Sequence, residues 1–242
     1  DLTAEQILIR SGNIGSVRIA QKIGSEKFES FLEKVGILSQ ITFDIDEVAP
    51  QKKYEFGKCK LATASYGHGI ATTILQLAKG YAILSNGGFE IDPTIVSKNS
   101  EKNTKKNRLL NKGVSEQVVS ALRKIVNTKE GTAKFANVPN YEIGGKTGTA
   151  DKVLDGVYSE GKVNTFASIF PTSKPKFVFV VMLDGPQKSE DYYYKYRQRD
   201  GGWKGTLKNS AGWTSVEVAG KVIDKIGPIL ATKYLSLIHI WR

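Results

Sequence analysis

The sequence holds one cysteine, Cys59, and two histidines, His68 and His239, in 242 residues. A single thiol excludes a disulfide framework and any Cys-based zinc site. Two imidazoles leave too few soft ligands for a catalytic metal, so neither a metal nor a cofactor is expected. No run of about 18 apolar residues occurs, so nothing in these residues is expected to span a membrane. The opening stretch, DLTAEQILIR, has no charged start followed by an apolar segment, and it has no Met. An internal piece of a longer chain is therefore expected. No repeat is visible. Acidic side chains are scarce: 24 Asp+Glu face 35 Lys+Arg, a formal charge of +11.

What is present is ordinary for a globular protein. The chain is 40% hydrophobic and 24% charged, enough apolar content for a core and too much for bulk disorder. Its length fits one large domain or two small ones. The basic excess gathers most densely at Lys98, Lys102, Lys105, Lys106, Arg108 and Lys112, among Asn and Ser. No aromatic residue interleaves there, so a base-stacking platform is missing and the cluster reads as a solvated loop. The stretch from Lys188 to Lys208 has four Tyr but is diluted by Glu190, Asp191 and Asp200. Nucleic acid is not the expected partner.

Hydrophobic spacing predicts helices first. Ile14, Val17, Ala20 and Ile23 recur at helical period, with Gly24 as a stop. Phe28, Phe31, Leu32 and Val35 form a second stripe, with Ser25 as N-cap and Gly36 closing it. Residues 37–60 read as loop. Ile74, Leu77, Ala78, Tyr81 and Leu84 make a third face that ends at Asn86-Gly87-Gly88. A short strand is expected within 89–97. Val114, Val118, Leu122, Ile125 and Val126 make another helix. The period then changes. Phe166 to Phe170 and Phe177 to Leu183 are apolar, β-branched and aromatic, and the second is nearly continuous, as in a strand buried on both faces. A closing helix carries Val216, Ala219, Val222, Ile223 and Ile226 behind Thr214-Ser215-Val216-Glu217, which has capping-box spacing. Helices, then strands, then a helix predict an α+β fold, an antiparallel sheet flanked by helices.

The most informative segment is Ile143-Gly144-Gly145-Lys146-Thr147-Gly148-Thr149-Ala150. A phosphate loop ending in Gly-Lys-Thr also needs a Gly where Asn140 stands, and a helix after it, so that reading is set aside. Lys-Thr-Gly on a strand beside an acyl-transfer site suits the residue types better. Lys146 supplies a cation, Thr147 and Thr149 supply hydroxyls for a carboxylate, and Gly148 leaves room for a substrate backbone. A Gly-rich hairpin with an exposed Lys is the bland alternative. Such enzymes pair this segment with Ser-x-Asn across the cleft, and Ser11-Gly12-Asn13 supplies it at the expected start of the first helix. Ser11 can relay a proton, and Asn13 can hold a substrate amide with one donor and one acceptor. Locally, Ser and Asn are also common helix caps.

Over residues 7–232 the sequence resembles the transpeptidase domain of class B penicillin-binding proteins. Beyond the two motifs, Thr63-Ala64-Ser65-Tyr66-Gly67-His68-Gly69-Ile70 and Leu75-Gln76-Leu77-Ala78 match the family in order, as do Ala167-Ser168-Ile169-Phe170-Pro171 and Val180-Val181-Met182-Leu183-Asp184. Ala211-Gly212-Trp213 with the last helix is similar to division-specific members from Gram-negative bacteria. The resemblance implies a serine β-lactamase/D,D-transpeptidase-like fold. It implies peptidoglycan cross-linking through a serine acyl-enzyme on D-Ala-D-Ala stem peptides in septal cell-wall synthesis. It places the protein on the periplasmic face of the inner membrane, with stem peptides, β-lactam antibiotics and divisome membrane proteins as partners. Ser11, Asn13 and Lys146 are the expected catalytic residues, and Thr147, Gly148 and Thr149 the expected substrate-binding ones. A lone His68 in the family's cleft loop is read as packing.

Two departures follow from the same resemblance. The nucleophile of relatives lies in Ser-x-x-Lys before Ser-x-Asn, and none of the ten residues before Ser11 forms that motif. Ser159-Glu160-Gly161-Lys162 and Ser173-Lys174-Pro175-Lys176 have the spacing but come after Lys-Thr-Gly, in expected turns. Residues 1–234 are thus expected to be a transpeptidase domain lacking its N-terminal part, with half of its oxyanion hole, and inactive alone. Residues 235–242 break from the family pattern and read as a foreign or artefactual tail. Two alternatives remain open here. A β-lactamase or penicillin sensor shares the fold, but the Glu-x-x-x-Asn string of class A lactamases occurs only at Glu160 to Asn164, after Lys-Thr-Gly. A basic nucleic-acid-binding module is the other.

Overall fold

A computed structural model describes residues 1–41, 43–45, 55–96, 107–154, 157–188, 190, 193–197 and 201–234. Helices come first: α1 (Ala4–Arg10), α2 (Asn13–Ile23), α3 (Ser25–Lys34), α4 (Lys58–Ala64), α5 (Ile74–Ser85) and α6 (Lys112–Asn127). Strands β1 (Gly144–Leu154), β2 (Val157–Phe170) and β3 (Phe177–Asp184) follow, then a hairpin of β4 (Tyr193–Arg197) and β5 (Trp203–Leu207), and helix α7 (Ser215–Tyr234). The expected order of helices, antiparallel strands and closing helix is what the chain adopts.

Strands β1, β2 and β3 form an antiparallel sheet in that spatial order, and β4 pairs with β5 separately. Lys146 lies opposite Ala167, and Thr149 opposite Asn164. Central β2 is buried from Phe166 through Phe170 at every position, so both of its faces are covered. The core joins Leu122, Ile125 and Val126 of α6, Phe166, Ile169 and Phe170 of β2, and Val216, Ala219 and Ile223 of α7. Ile9 of α1 is anchored in the same cluster.

Some apolar stripes carry less of the core than their spacing suggests. Ile14 is 75% exposed, Ile74 46% and Val114 49%, and α3 buries none of its residues. Each of these three sits in the first turn or so of its helix, at the margin of the packed face. Of the segment 89–97 the described part holds a single bridge, Phe89 to Arg108, in place of a strand. The loop expected over 37–60 contains the start of α4. Residues 97–106, most of the basic cluster, lie outside the described residues, as does the tail 235–242.

The connection from α6 to β1 makes one close approach that matters for the site. Ile125 O accepts from Ala133 N–H at 3.2 Å, and a Cβ on Gly131 would stand 2.0 Å from that same oxygen. Gly131→Ala must push backbone apart, at a cost of about 3 kcal/mol as for other overpacked positions. In a chain of this size the expected fall in Tm is on the order of 10 °C, read by thermal unfolding. A melting curve unchanged from the parent contradicts the close approach.

Candidate active site

Helix α1 opens with a reciprocal cap. Gln6 N–H donates to Thr3 Oγ1 at 3.2 Å, and Thr3 N–H donates to Gln6 Oε1 at 2.9 Å. The helix ends where Ser11 turns into the left-handed region, φ 55° and ψ 47°, and Gly12 N–H closes back on Ile7 O at 2.9 Å. Helix α2 then starts at Asn13. Ser11 is therefore the corner between two helices, where the sequence suggested the start of the first. Few residues other than Gly, Asn and Asp adopt this conformation readily, and such departures gather at functional sites. Arg10 pairs with Glu130 at 2.6 Å and Lys124 with Glu5 at 2.7 Å, which ties α1 to α6 and the loop after it. All four side chains are largely exposed, so these pairs add little stability.

The corner faces strand β1. Lys146 Nζ donates to Ser11 Oγ at 2.7 Å and to Thr147 O at 2.8 Å, across 135 positions of sequence. No carboxylate pairs with Lys146 among the described residues. Burial without a compensating anion lowers its pKa to about 8 from an ordinary 10.5. Ser11 and Asn13 are exposed, as are Gly148 and Thr149, while Lys146 and Thr147 are half-buried. The cleft between the α1–α2 corner and β1 is thus open to solvent, with one desolvated ammonium at its floor. Strand β1 is an edge among the described strands, so an extended peptide can lie along it.

Thr147 and Thr149 alternate with Lys146 and Gly148 along β1, so their side chains leave from the opposite face. Thr147 Oγ1 lies 2.8 Å from Thr132 Oγ1, and Thr149 Oγ1 accepts from Ala211 N–H at 3.0 Å. Neither contact has a signal in the sequence. Thr132 sits in a loop of unremarkable composition, and Ala211 contributes through its backbone, which no residue type announces. Ala211 opens a single 3-10 turn, Ala211–Trp213, just before α7.

His68 is a packed side chain, as read. Its Nε2 lies 2.8 Å from Tyr158 Oη, and its ring stacks on Tyr158 at 6.0 Å and on Tyr66 at 6.4 Å between centroids. This joins the loop after α4 to the far end of the β1–β2 hairpin.

The two Ser-x-x-Lys strings do not form a nucleophile pair. Ser159 and Lys162 lie within β2 and not in a turn, and a separation of three along a strand points them to opposite faces. Ser159 Oγ donates to Lys152 O at 3.3 Å, and Lys162 is paired with Asp151 at 2.5 Å. Ser173 follows β2 in a turn, where its N–H donates to Glu142 Oε2 at 3.0 Å. The Gly-Lys-Thr stretch runs within β1 with no helix after it, which removes the phosphate-loop alternative.

Comparison with known proteins agrees with this geometry. The family model described as the penicillin binding protein transpeptidase domain matches residues 1–200. A peptidoglycan D,D-transpeptidase FtsI homolog of Mesostigma viride is 32% identical over 215 residues, 76% of this chain and 36% of that one. A probable peptidoglycan D,D-transpeptidase FtsI of Caulobacter vibrioides is 26% identical over 241 residues, 96% of this chain and 39% of that one. The chain thus spans well under half the length of these relatives. Among solved structures, the apo transpeptidase domain of Burkholderia pseudomallei penicillin-binding protein 3 superposes with a TM-score of 0.75 at 24% identity, covering 94% of this chain and 65% of that one. That likeness supports the fold.

Proposed function

The chain belongs to the penicillin-binding protein transpeptidase family, and we propose that it supplies the proton-relay and substrate-strand side of a peptidoglycan D,D-transpeptidase site. The observation that carries the reading is the hydrogen bond from Lys146 Nζ to Ser11 Oγ at 2.7 Å, which joins two short motifs far apart in sequence. The names of the relatives, peptidoglycan D,D-transpeptidases, support the reaction class.

In this reading a serine attacks the carbonyl of a D-Ala-D-Ala stem peptide and passes its proton to the Lys of its Ser-x-x-Lys motif. The C–N bond breaks, D-Ala leaves, and the acyl group passes to an amine of a neighbouring stem. Ser11 Oγ accepts a proton bond from Lys146, so its own O–H is free to donate to the departing amine, and Lys146 then replaces that proton. Asn13, exposed beside Ser11, holds the substrate amide. Gly148, without a Cβ, lets the peptide approach the edge of β1, and Thr147 and Thr149 present hydroxyls toward the terminal carboxylate. β-Lactams enter as mimics of that donor. Peptidoglycan stems are the substrate. Septal wall synthesis, the periplasmic face of the inner membrane and divisome partners follow from the resemblance to division-specific members.

The attacking serine belongs to a Ser-x-x-Lys motif, and residues 1–10 contain none. We therefore propose that residues 1–234 are the part of the catalytic domain beyond that motif, and that these 242 residues alone form no acyl-enzyme. Incubation with a fluorescent penicillin tests both statements. The 242-residue chain is expected to show no stable adduct. The same chain extended upstream through its gene to a Ser-x-x-Lys is expected to label, and to lose the label when that Ser becomes Ala. Labelling of the short chain overturns the first statement. An extended, folded chain that never labels overturns the reading itself.

A further inference from the structure

Asn164 of β2 is buried completely, directly opposite Thr149 in the sheet register. Its Nδ2 donates to the carbonyl of Asn209 and to Thr214 Oγ1, the latter at 2.8 Å. These two acceptors lie on either side of the 3-10 turn Ala211–Trp213. Thr214 Oγ1 in turn donates to Ser210 O at 3.1 Å, so the turn is drawn closed at its base. A carbonyl acceptor at Asn209 fixes which amide atom is the nitrogen, and it leaves Asn164 Oδ1 facing the other way. That oxygen is buried with no hydrogen-bond partner among the described residues. An orphaned buried acceptor is a standing cost that a smaller apolar residue would avoid.

The turn that Asn164 secures does one thing at the cleft. Ala211 N–H donates to Thr149 Oγ1 at 3.0 Å. A hydroxyl has one proton and two lone pairs. With one lone pair taken by the amide, the Thr149 O–H is left free to donate to a group other than the turn. Thr149 is thereby set as a donor. A donor recognises an anion such as a carboxylate and does not complement a cation or a second N–H. Gly212 of the same turn packs on Thr132, where a Cβ would stand 2.7 Å from Thr132 O, and Thr132 Oγ1 contacts Thr147 Oγ1. One turn therefore backs both threonines of the strand.

We infer that Asn164 is a positioning residue for carboxylate recognition: by tethering the Ala211–Trp213 turn, it fixes the Thr149 hydroxyl as a donor toward the substrate's terminal carboxylate. The inference rests on the acyl-transfer reading above and specifies how its anion is recognised. Asn164 touches no substrate and acts through Ala211.

Two measurements on Asn164→Ala, Thr214→Val and Thr149→Val test it. Amide hydrogen exchange of Ala211 reports the tether without any ligand. Protection is expected in the parent and is expected to be lost in all three variants. Acylation of the extended chain by a penicillin and by its methyl ester reports carboxylate recognition. The parent is expected to favour the free acid about tenfold or more, the scale of one charge-assisted hydrogen bond. In Asn164→Ala and Thr214→Val the acid rate is expected to fall toward the ester rate while the ester rate holds, and in Thr149→Val the preference for the acid is expected to be lost. A purely structural role lowers both rates together, and that result overturns the inference. So does unchanged Ala211 protection in Asn164→Ala and Thr214→Val. Thr214→Val is nearly isosteric and keeps the test open if Asn164→Ala does not fold. A parent that labels with no acid preference overturns carboxylate recognition by Thr149, and the inference with it. A parent that never labels defeats the acyl-transfer reading instead, and Ala211 exchange still decides the tether.

Discussion

Lys146→Met is expected to abolish acyl transfer and, in the same protein, to raise stability at neutral and acid pH. The first effect follows from position. Lys146 Nζ is 2.7 Å from Ser11 Oγ and is the ammonium that holds this hydroxyl. Losing a proton-transfer group of that kind costs roughly 10²- to 10⁴-fold in rate, read as penicillin acylation of the extended chain. The second effect follows from burial. The pKa of Lys146 falls from 10.5 to about 8 because its charge is desolvated. In the pH interval between those values the unfolded chain binds more protons than the folded one, so stability rises with pH across it. Below about pH 8 the full penalty is present, and above 10.5 it is gone. The shift corresponds to about 3 kcal/mol at most. Loss of the two hydrogen bonds to Ser11 and Thr147 returns about 1 kcal/mol each. A net gain of about 1 kcal/mol is left for Met below pH 8, shrinking and then reversing as pH approaches 10.5. Denaturant unfolding of the parent and Lys146→Met at pH 6.5 and pH 10 reads it. A gap that widens with pH is inconsistent with a buried cation at this site.

This opposition between stability and function explains which features were readable in the sequence. Core-forming elements obey spacing rules. The α6 stripe of Val118, Leu122, Ile125 and Val126 and the α7 stripe follow from periodicity, but the nearly continuous run Phe177 to Leu183, which reads as buried on both faces, is β3 with Met182 47% exposed, and the strand covered on both faces is β2. Chemical types at fixed spacing also point Lys146 and Ser11 to one site. The unread parts are those in which backbone acts. Ser11 lies in the left-handed region, where Gly, Asn or Asp is the usual signal, so from the sequence the corner between α1 and α2 reads as a helix start. Helix α1 shows no period in the sequence even though Thr3-Ala4-Glu5-Gln6 carries a capping box, because seven residues are too few for one. Helix α4, also seven residues, was hidden in the same way. The contacts that orient Thr147 and Thr149 come from Thr132 Oγ1 and the Ala211 amide, and a backbone N–H has no signature in a one-letter string.

The remaining large effect concerns Ser11 itself, where a pair of substitutions separates the hydroxyl from the backbone. Ser11→Ala and Ser11→Gly each remove the Oγ that accepts from Lys146, and each is expected to slow acylation of the extended chain by about 10²- to 10³-fold. Their stabilities are expected to diverge. At φ 55° and ψ 47° a Cβ crowds the following carbonyl, and Gly escapes this at the end of a helix. Ser11→Gly is expected to be more stable than Ser11→Ala by about 1 kcal/mol after the greater flexibility of unfolded Gly is deducted. Equal stability of the two would show that the corner relaxes and stores no strain. Unequal stability with equally low activity would mean that the chain keeps a serine where glycine folds better. The same pattern holds among the described residues at Lys146, a charge without a counter-ion, and at Asn164, an acceptor without a donor. A fold optimised for stability alone would have replaced all three. Their common location, around one edge strand and the corner that faces it, is the physical reason to place the chemistry there.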